Sequence, residues 1–89
     1  MRTLVYSGQF KRDVKIAKKR GKDMNKLKDL MSLLINDQPL AYHYKDHQLT
    51  GNWNGFRDAH IEPDWLLIYK INDEELRFER TGRHTDLFK

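Results

Sequence analysis

Residues 57–71 read RDAHIEPDWLLIYKI, and the way this stretch divides decides what kind of chain this is. Pro63-Asp64 suits the centre of a type I turn, because proline pre-sets the first backbone angle. Upstream of that turn the chain alternates from Trp53 to Ile61. Trp53, Gly55, Arg57, Ala59 and Ile61 fall on one side, and Asn54, Phe56, Asp58, His60 and Glu62 on the other, which is the period of a strand. Downstream, Trp65–Ile71 is the most apolar strand of the sequence. A hairpin follows. A surface hairpin needs only part of what is crowded around this proline, however: Asp58, Glu62 and Asp64, one histidine and one tryptophan.

Working outward, Thr3–Tyr6 is rich in β-formers and reads as an opening strand. Ser7 can cap a helix whose apolar positions Phe10, Val14 and Ala17 fall at helical spacing, and Gly21 is placed to end it. Asp23 is a second cap, followed by Met24, Leu27, Leu30, Met31 and Leu34 on one stripe. Asp37-Gln38-Pro39 breaks that helix, and Tyr42–Lys45 is expected as a short strand. Beyond the hairpin, Asn72-Asp73 starts another turn. Leu76, Phe78 and Arg80 then share one face of a final strand, with Arg77, Glu79 and Thr81 on the other. The order is β-α-α-β-β-β, an α+β fold in which a helix hairpin covers one face of a mostly antiparallel sheet.

At 89 residues the chain has room for one small core, so a single domain over 1–89 is expected. It contains no cysteine, which removes disulfides and thiolate zinc sites from consideration. No segment has the length of a bilayer span, and no apolar signal-peptide core opens the chain, so a cytoplasmic protein with no membrane partner is expected. The net charge of +4 is unevenly spread. Residues 1–45 carry eleven Lys/Arg against four Asp/Glu, and residues 46–89 carry six against nine. Between Lys11 and Lys28 nine basic residues face two acidic ones. Such density suits a polyanion, with Lys11, Lys15, Lys18, Lys19, Lys22 and Lys26 as candidate phosphate contacts; the plain alternative is a solvated helix face.

All four histidines, His43, His47, His60 and His84, lie in the strand and loop half. His43, between Tyr42 and Tyr44, reads as ordinary packing. His43 and His47 are four apart, a metal spacing only on a helix, which Pro39 and the aromatic context disfavour; no metal or cofactor is expected. Metal-free RNA cleavage fits the set better. A base must deprotonate the 2′-hydroxyl, an acid must protonate the leaving 5′-oxygen, and a cation must stabilise the phosphorane charge. Histidine or aspartate can serve as base or acid. The tail Arg80-Thr81-Gly82-Arg83-His84 supplies cation and imidazole together, and Trp65 or Phe88 could stack on a base.

YSGQFKRDVK, then KDHQLTGNWNGFRDAHIEPDWLLIYKI, then LRFERTGRH with a closing LF, resemble the YafQ branch of the RelE/ParE toxin superfamily essentially end to end. The resemblance implies a RelE-like microfold and a ribosome-dependent endoribonuclease, the toxin of a type II toxin–antitoxin system, that cuts mRNA in the ribosomal A site without a metal. It implies as partners a cognate antitoxin, the ribosome with its mRNA and, for the toxin–antitoxin complex, operator DNA. The family's functional histidines fall on His47, His60 and His84, its acid on Asp64, its arginine on Arg80 and its aromatic contacts on Trp65 and Phe88. On that basis His84 is read as general acid, Asp64 or His47 as base and Arg80 as the phosphate clamp. His60 orients the RNA or a neighbouring side chain, and Asp58 fixes the His60 ring; Arg83 has no assigned role. Two alternatives stand beside this reading: a gyrase poison that cuts no RNA, and a basic nucleic-acid-binding module.

Overall fold

The computed structural model describes residues 2–88. Strand β1 (Thr3–Tyr6) leads through Ser7 into helix α1 (Gly8–Lys19), and helix α2 (Met24–Ile35) runs back. Strands β2 (His47–Gln48), β3 (Arg57–Glu62), β4 (Trp65–Ile71) and β5 (Glu75–Gly82) follow, and a short helix α3 (His84–Leu87) closes the described chain. The sheet order is β1-β5-β4-β3-β2, with β1 parallel to β5 and every other pair antiparallel. This is the expected α+β fold, with one very short strand and one terminal helical turn added to the expected order.

Local chemistry sets the helix limits. Ser7 is extended and accepts the Phe10 N–H at its hydroxyl (2.9 Å), and Asp23 does the same for Asn25 (3.0 Å), each satisfying an orphan donor of its helix. Both helices end in the six-to-one, five-to-two closure that needs one left-handed residue. Gly21 takes that conformation after α1 (φ 77°), with Lys22 N–H bound to Ala17 O. Asp37 takes it after α2 (φ 55°), with Gln38 N–H bound to Leu33 O. No described helix is long and apolar enough to cross a membrane.

Strand β4 is buried from Trp65 to Tyr69 because both faces of the sheet are covered there. Trp65, Leu67 and Tyr69 join Ala59, Leu76 and Phe78 against Phe10, Ala17, Leu27, Leu30 and Leu34 of the helices. Leu66 and Ile68 face the opposite way, under Leu87, Leu49, Trp53 and Phe56. The Pro63-Asp64 turn joins β3 to β4 as expected.

Three expectations are corrected. Tyr42–Tyr44 is a single 3-10 turn rather than a strand, closed by Lys45 at φ 48°, and the strand that pairs with β3 begins later, at His47. The alternating run from Trp53 becomes a strand only at Arg57. Before it, Gly51–Trp53 is another 3-10 turn, so Trp53 and Phe56 pack edge to face on one side instead of pointing to opposite sides. Finally, Arg80 does not share a face with Leu76 and Phe78. Tyr69 pairs with Phe78 but Ile68 pairs with Arg80, so Glu79 is an extra, bulged residue that reverses the alternation.

Leu67 is fully buried in the helix-side core. Leu67→Ala is expected to lower unfolding free energy by about 2–5 kcal/mol in urea denaturation, through lost transfer energy and a residual cavity.

Candidate active site

The sheet face opposite the helices carries the chemistry. Residues directly across antiparallel strands share a face, so His47, Asp58, Ile68 and Arg80 form one row over four strands. His60, Leu66 and Gly82 form the next row. Helix α3 folds back over Gly82, where a Cβ would meet Asp86 Cβ and Oδ2 at 3.2 Å; the bare glycine permits that close approach. His84 therefore lands beside His60, with ring centroids 5.9 Å apart, while His47 lies 6.4 Å from His60 on its other side. Phe88 continues the line, 5.8 Å from His84 and edge-on to Trp53 at 6.5 Å. Three imidazoles and an exposed aromatic ring are thus strung along one end of the sheet.

Asp64, in the β3–β4 turn, accepts the backbone N–H of His84 at Oδ1 (3.2 Å), with His84 Nδ1 3.5 Å from the same oxygen. That backbone hydrogen bond is the main reason the Asp64 carboxyl lies below the usual carboxylate range. His47 Nδ1 is 2.9 Å from Lys45 O and 3.1 Å from Asp58 Oδ1. Only the carbonyl has hydrogen-bond geometry, and Asp58 Oδ1 is left without such a partner. Nδ1 thus carries the proton in neutral His47, leaving Nε2 as its acceptor. Asp58 is buried, and desolvation raises its pKa despite the three nearby histidines. His60 Nδ1 is likewise buried without a partner, so Asp58 does not fix that ring by a hydrogen bond as expected. Desolvation lowers the His60 pKa, with Asp58 opposing the shift and His84 reinforcing it.

Arg80 sits on this face but is anchored at the sheet edge. Its Nε donates to Asp13 Oδ2 (2.7 Å) and its Nη2 to Asp13 Oδ1 (3.3 Å). An open groove of about 590 Å³ runs past Arg80, Trp53, Asn52 and Phe88. Helix α3 is tied down by Asp86, whose Oδ2 accepts from Arg20 Nη1 (2.8 Å) and from the Arg83 backbone N–H (3.0 Å); its pKa is pushed down to about 2, chiefly by Arg20. Asp13, Trp53 and Asp86 escaped the sequence reading. Asp13 had a signal: it is the one acid in the basic segment GQFKRDVKIAKK, three residues after the core residue Phe10.

Other candidates lie apart. Trp65 offers no face for stacking, since it is 1% exposed and donates its indole N–H to Thr81 Oγ1 (3.0 Å). Lys22 and Lys26 are engaged by Glu62 at 3.1 and 2.9 Å. Lys11, Lys15, Lys18 and Lys19 are exposed on α1, across the sheet from the imidazoles. Among the described residues, no group of three or more His, Asp or Glu is arranged to hold a metal ion.

Comparisons with known proteins agree with this architecture. The family model described as "Bacterial toxin of type II toxin-antitoxin system, YafQ" matches residues 2–89. The mRNA interferase toxin YafQ of Escherichia coli K12 is 65% identical over 88 residues, covering 98% of this chain and 96% of that protein. The crystal structure of YafQ from E. coli BL21(DE3) superposes with a TM-score of 0.98 at 62% identity, over all of both chains. YafQ in the E. coli DinJ–YafQ complex superposes with a TM-score of 0.95 at 63% identity, again over all of both chains. The protein is a small α+β toxin of a type II toxin–antitoxin system. Within that class, the chain belongs to the YafQ family.

Because burial disfavours its charged form, His60 is expected to titrate below the ordinary histidine value of about 6.5 in NMR pH titration of the ring protons. Asp58→Asn removes the one charge that supports protonation and should move the midpoint lower still. In the unfolded chain His60 binds its proton at the ordinary value, so its contribution to stability is lost as pH falls through that value towards the folded midpoint.

Proposed function

We propose that this chain is an mRNA interferase that cuts mRNA in the ribosomal A site by metal-free attack of the 2′-hydroxyl on the adjacent phosphate. The observation that carries the proposal is the line His47–His60–His84 on the same sheet face as Arg80, which lines a groove that reaches Phe88 at the end of that line. The 2′-oxygen forms a new bond to phosphorus while the bond from phosphorus to the 5′-oxygen breaks, leaving a 2′,3′-cyclic phosphate and a 5′-hydroxyl. His47 takes the 2′-proton at Nε2, the nitrogen left free when Nδ1 binds Lys45 O. His84 protonates the leaving 5′-oxygen, with Asp64 holding its backbone N–H and lying 3.5 Å from its Nδ1. The lowered pKa of Asp64 makes it the weaker choice of base. His60, whose charged form desolvation disfavours, sits between the two and orients the phosphate. Arg80 stabilises the charge that develops on the phosphorane oxygens, and Phe88, which is exposed, stacks on a base flanking the cut.

The likeness to YafQ in the DinJ–YafQ complex supports a protein antitoxin as the neutralising partner. The exposed lysines of α1 supply sequence-independent contacts to ribosomal RNA on the far side of the sheet. The cytoplasm is the compartment this activity requires.

His84→Ala is expected to slow single-turnover cleavage on programmed ribosomes by about 10²–10⁴-fold, the usual contribution of general acid catalysis. A parent-like rate would remove His84 from the chemistry. Primer extension on a translated mRNA should show discrete cuts that vanish when translation is blocked; intact mRNA with arrested DNA supercoiling would instead indicate a gyrase poison. Reversing Lys11, Lys15, Lys18 and Lys19 to Glu should weaken ribosome sedimentation binding and flatten its salt dependence.

A further inference from the structure

We propose that Asp13 is a positioning residue for RNA cleavage: it grips Arg80 by one edge of the guanidinium and leaves the other edge free for a phosphate. The inference rests on the role proposed for Arg80 above. A guanidinium carries five N–H donors in a planar fork. The grip of Asp13 uses the Nε–H (2.7 Å) and one hydrogen of Nη2 (3.3 Å). Both Nη1 hydrogens and the second Nη2 hydrogen remain, and one from each nitrogen forms the end-on edge whose parallel N–H vectors match two phosphate oxygens. The Arg80 side chain is 22% exposed and lines the groove, while that of Asp13 is 6% exposed and does not line it.

Asp13 is itself fixed. Its Oδ1 also accepts from Gln9 Nε2 (3.1 Å), and its Oδ2 also accepts from the backbone N–H of Thr81 (3.1 Å). Each oxygen therefore holds two donors, one pair including a neighbour on α1 and the other the backbone of β5. Arginine otherwise loses side-chain entropy when it is ordered against a ligand. A carboxylate locked at both ends orders it in advance, which is the preorganisation that electrostatic catalysis needs. The negative charge weakens the attraction of Arg80 for phosphate in the ground state. Asp13 thus acts on alignment in the transition state more than on binding.

A double-mutant cycle tests this. Single-turnover cleavage at saturating toxin on programmed ribosomes is measured for the parent, Asp13→Asn, Arg80→Ala and the double variant, with urea unfolding of each. Asp13→Asn is expected to lower the saturating rate by about 10–10²-fold, the scale of a misaligned catalytic group. The half-saturating toxin concentration should stay within a few-fold, and the Arg80→Ala background should show no further loss. Asp13→Glu keeps the charge and both oxygens, so an intermediate rate is expected, and its deficit should also vanish without Arg80; it carries the cycle if Asp13→Asn does not fold. Equal losses in both backgrounds would make Asp13 a general scaffold residue and overturn the proposal. A parent-like rate in Asp13→Asn, with Arg80→Ala impaired, would overturn it alone. A parent-like rate in Arg80→Ala would remove the role of the arginine itself, and the positioning role with it.

Discussion

Strand β5 carries one residue more than β4 between Phe78 and Arg80, and the bulged residue, Glu79, is held in place by the start of helix α1. Strand β1 accompanies β5 only as far as Phe78. From there Ser7 takes over, donating its backbone N–H to Phe78 O (3.1 Å) and its hydroxyl to Glu79 O (2.7 Å) while its oxygen caps the helix at Phe10. Two turns on, Asp13 accepts the backbone N–H of Thr81. The edge of β5 is thus bound first by a strand and then by Ser7 and the Asp13 side chain, which take up Phe78 O, Glu79 O and the Thr81 N–H. What the bulge accomplishes is a change of parity. Leu76 and Phe78 bury themselves under the helices, and Arg80 stands on the sheet face that also carries His47 and His60. Were Glu79 paired in regular alternation instead of bulged, Arg80 would share the core face with Leu76 and Phe78.

The electrostatics of the site follow from the same layering. On the second sheet face Leu87, Leu49, Trp53 and Phe56 pack over Leu66 and Ile68, while Asp58 is buried and His60 half-buried. Burial pushes both towards their neutral forms, the carboxyl upward and the imidazole downward. Charge is kept at the margins instead, in the pairs Arg80–Asp13, Arg20–Asp86 and Arg57–Asp46. The last of these is extended by the Tyr69 hydroxyl, which hydrogen-bonds Asp46 and has its own ionisation pushed up by burial. A polyanion approaching this face meets the imidazoles at the centre and guanidinium groups held by carboxylates at the rim.

Much of this was legible in the sequence, for physical reasons that differ between elements. The helices announced themselves because caps and left-handed closures have strong residue preferences, as Ser7, Gly21 and Asp23 show. The hairpin at Pro63-Asp64 was equally plain. The convergence of His47, His60 and His84 came from the family resemblance rather than from spacing. Hidden were the features decided by tertiary contact. A two-residue strand has no period to detect, so β2 was misplaced onto Tyr42–Lys45. The bulge at Glu79 leaves the alternation of ERTG looking regular, which is why Arg80 was assigned to the wrong face. Trp65 looked like a surface platform because nothing local reveals that its indole N–H will find Thr81.

Helix α3 shows how far the site depends on such distant contacts. Four residues cannot sustain a helix by their own propensity, since the first turn fixes several torsions for little hydrogen bonding. What holds α3 is Leu87 buried against Leu66 and Ile68, Asp86 reaching Arg20 on α1, Asp64 receiving the His84 N–H, and the missing side chain at Gly82. All four ties come from other elements: two from the β3–β4 hairpin, one from the end of α1 and one from the last residue of β5. The position of His84 and Phe88 is therefore a property of the assembled fold. Helix α1, which contributes no reacting group, holds both halves of the site: one turn carries Asp13 to Arg80, and its C-cap carries Arg20 to the helix that bears His84.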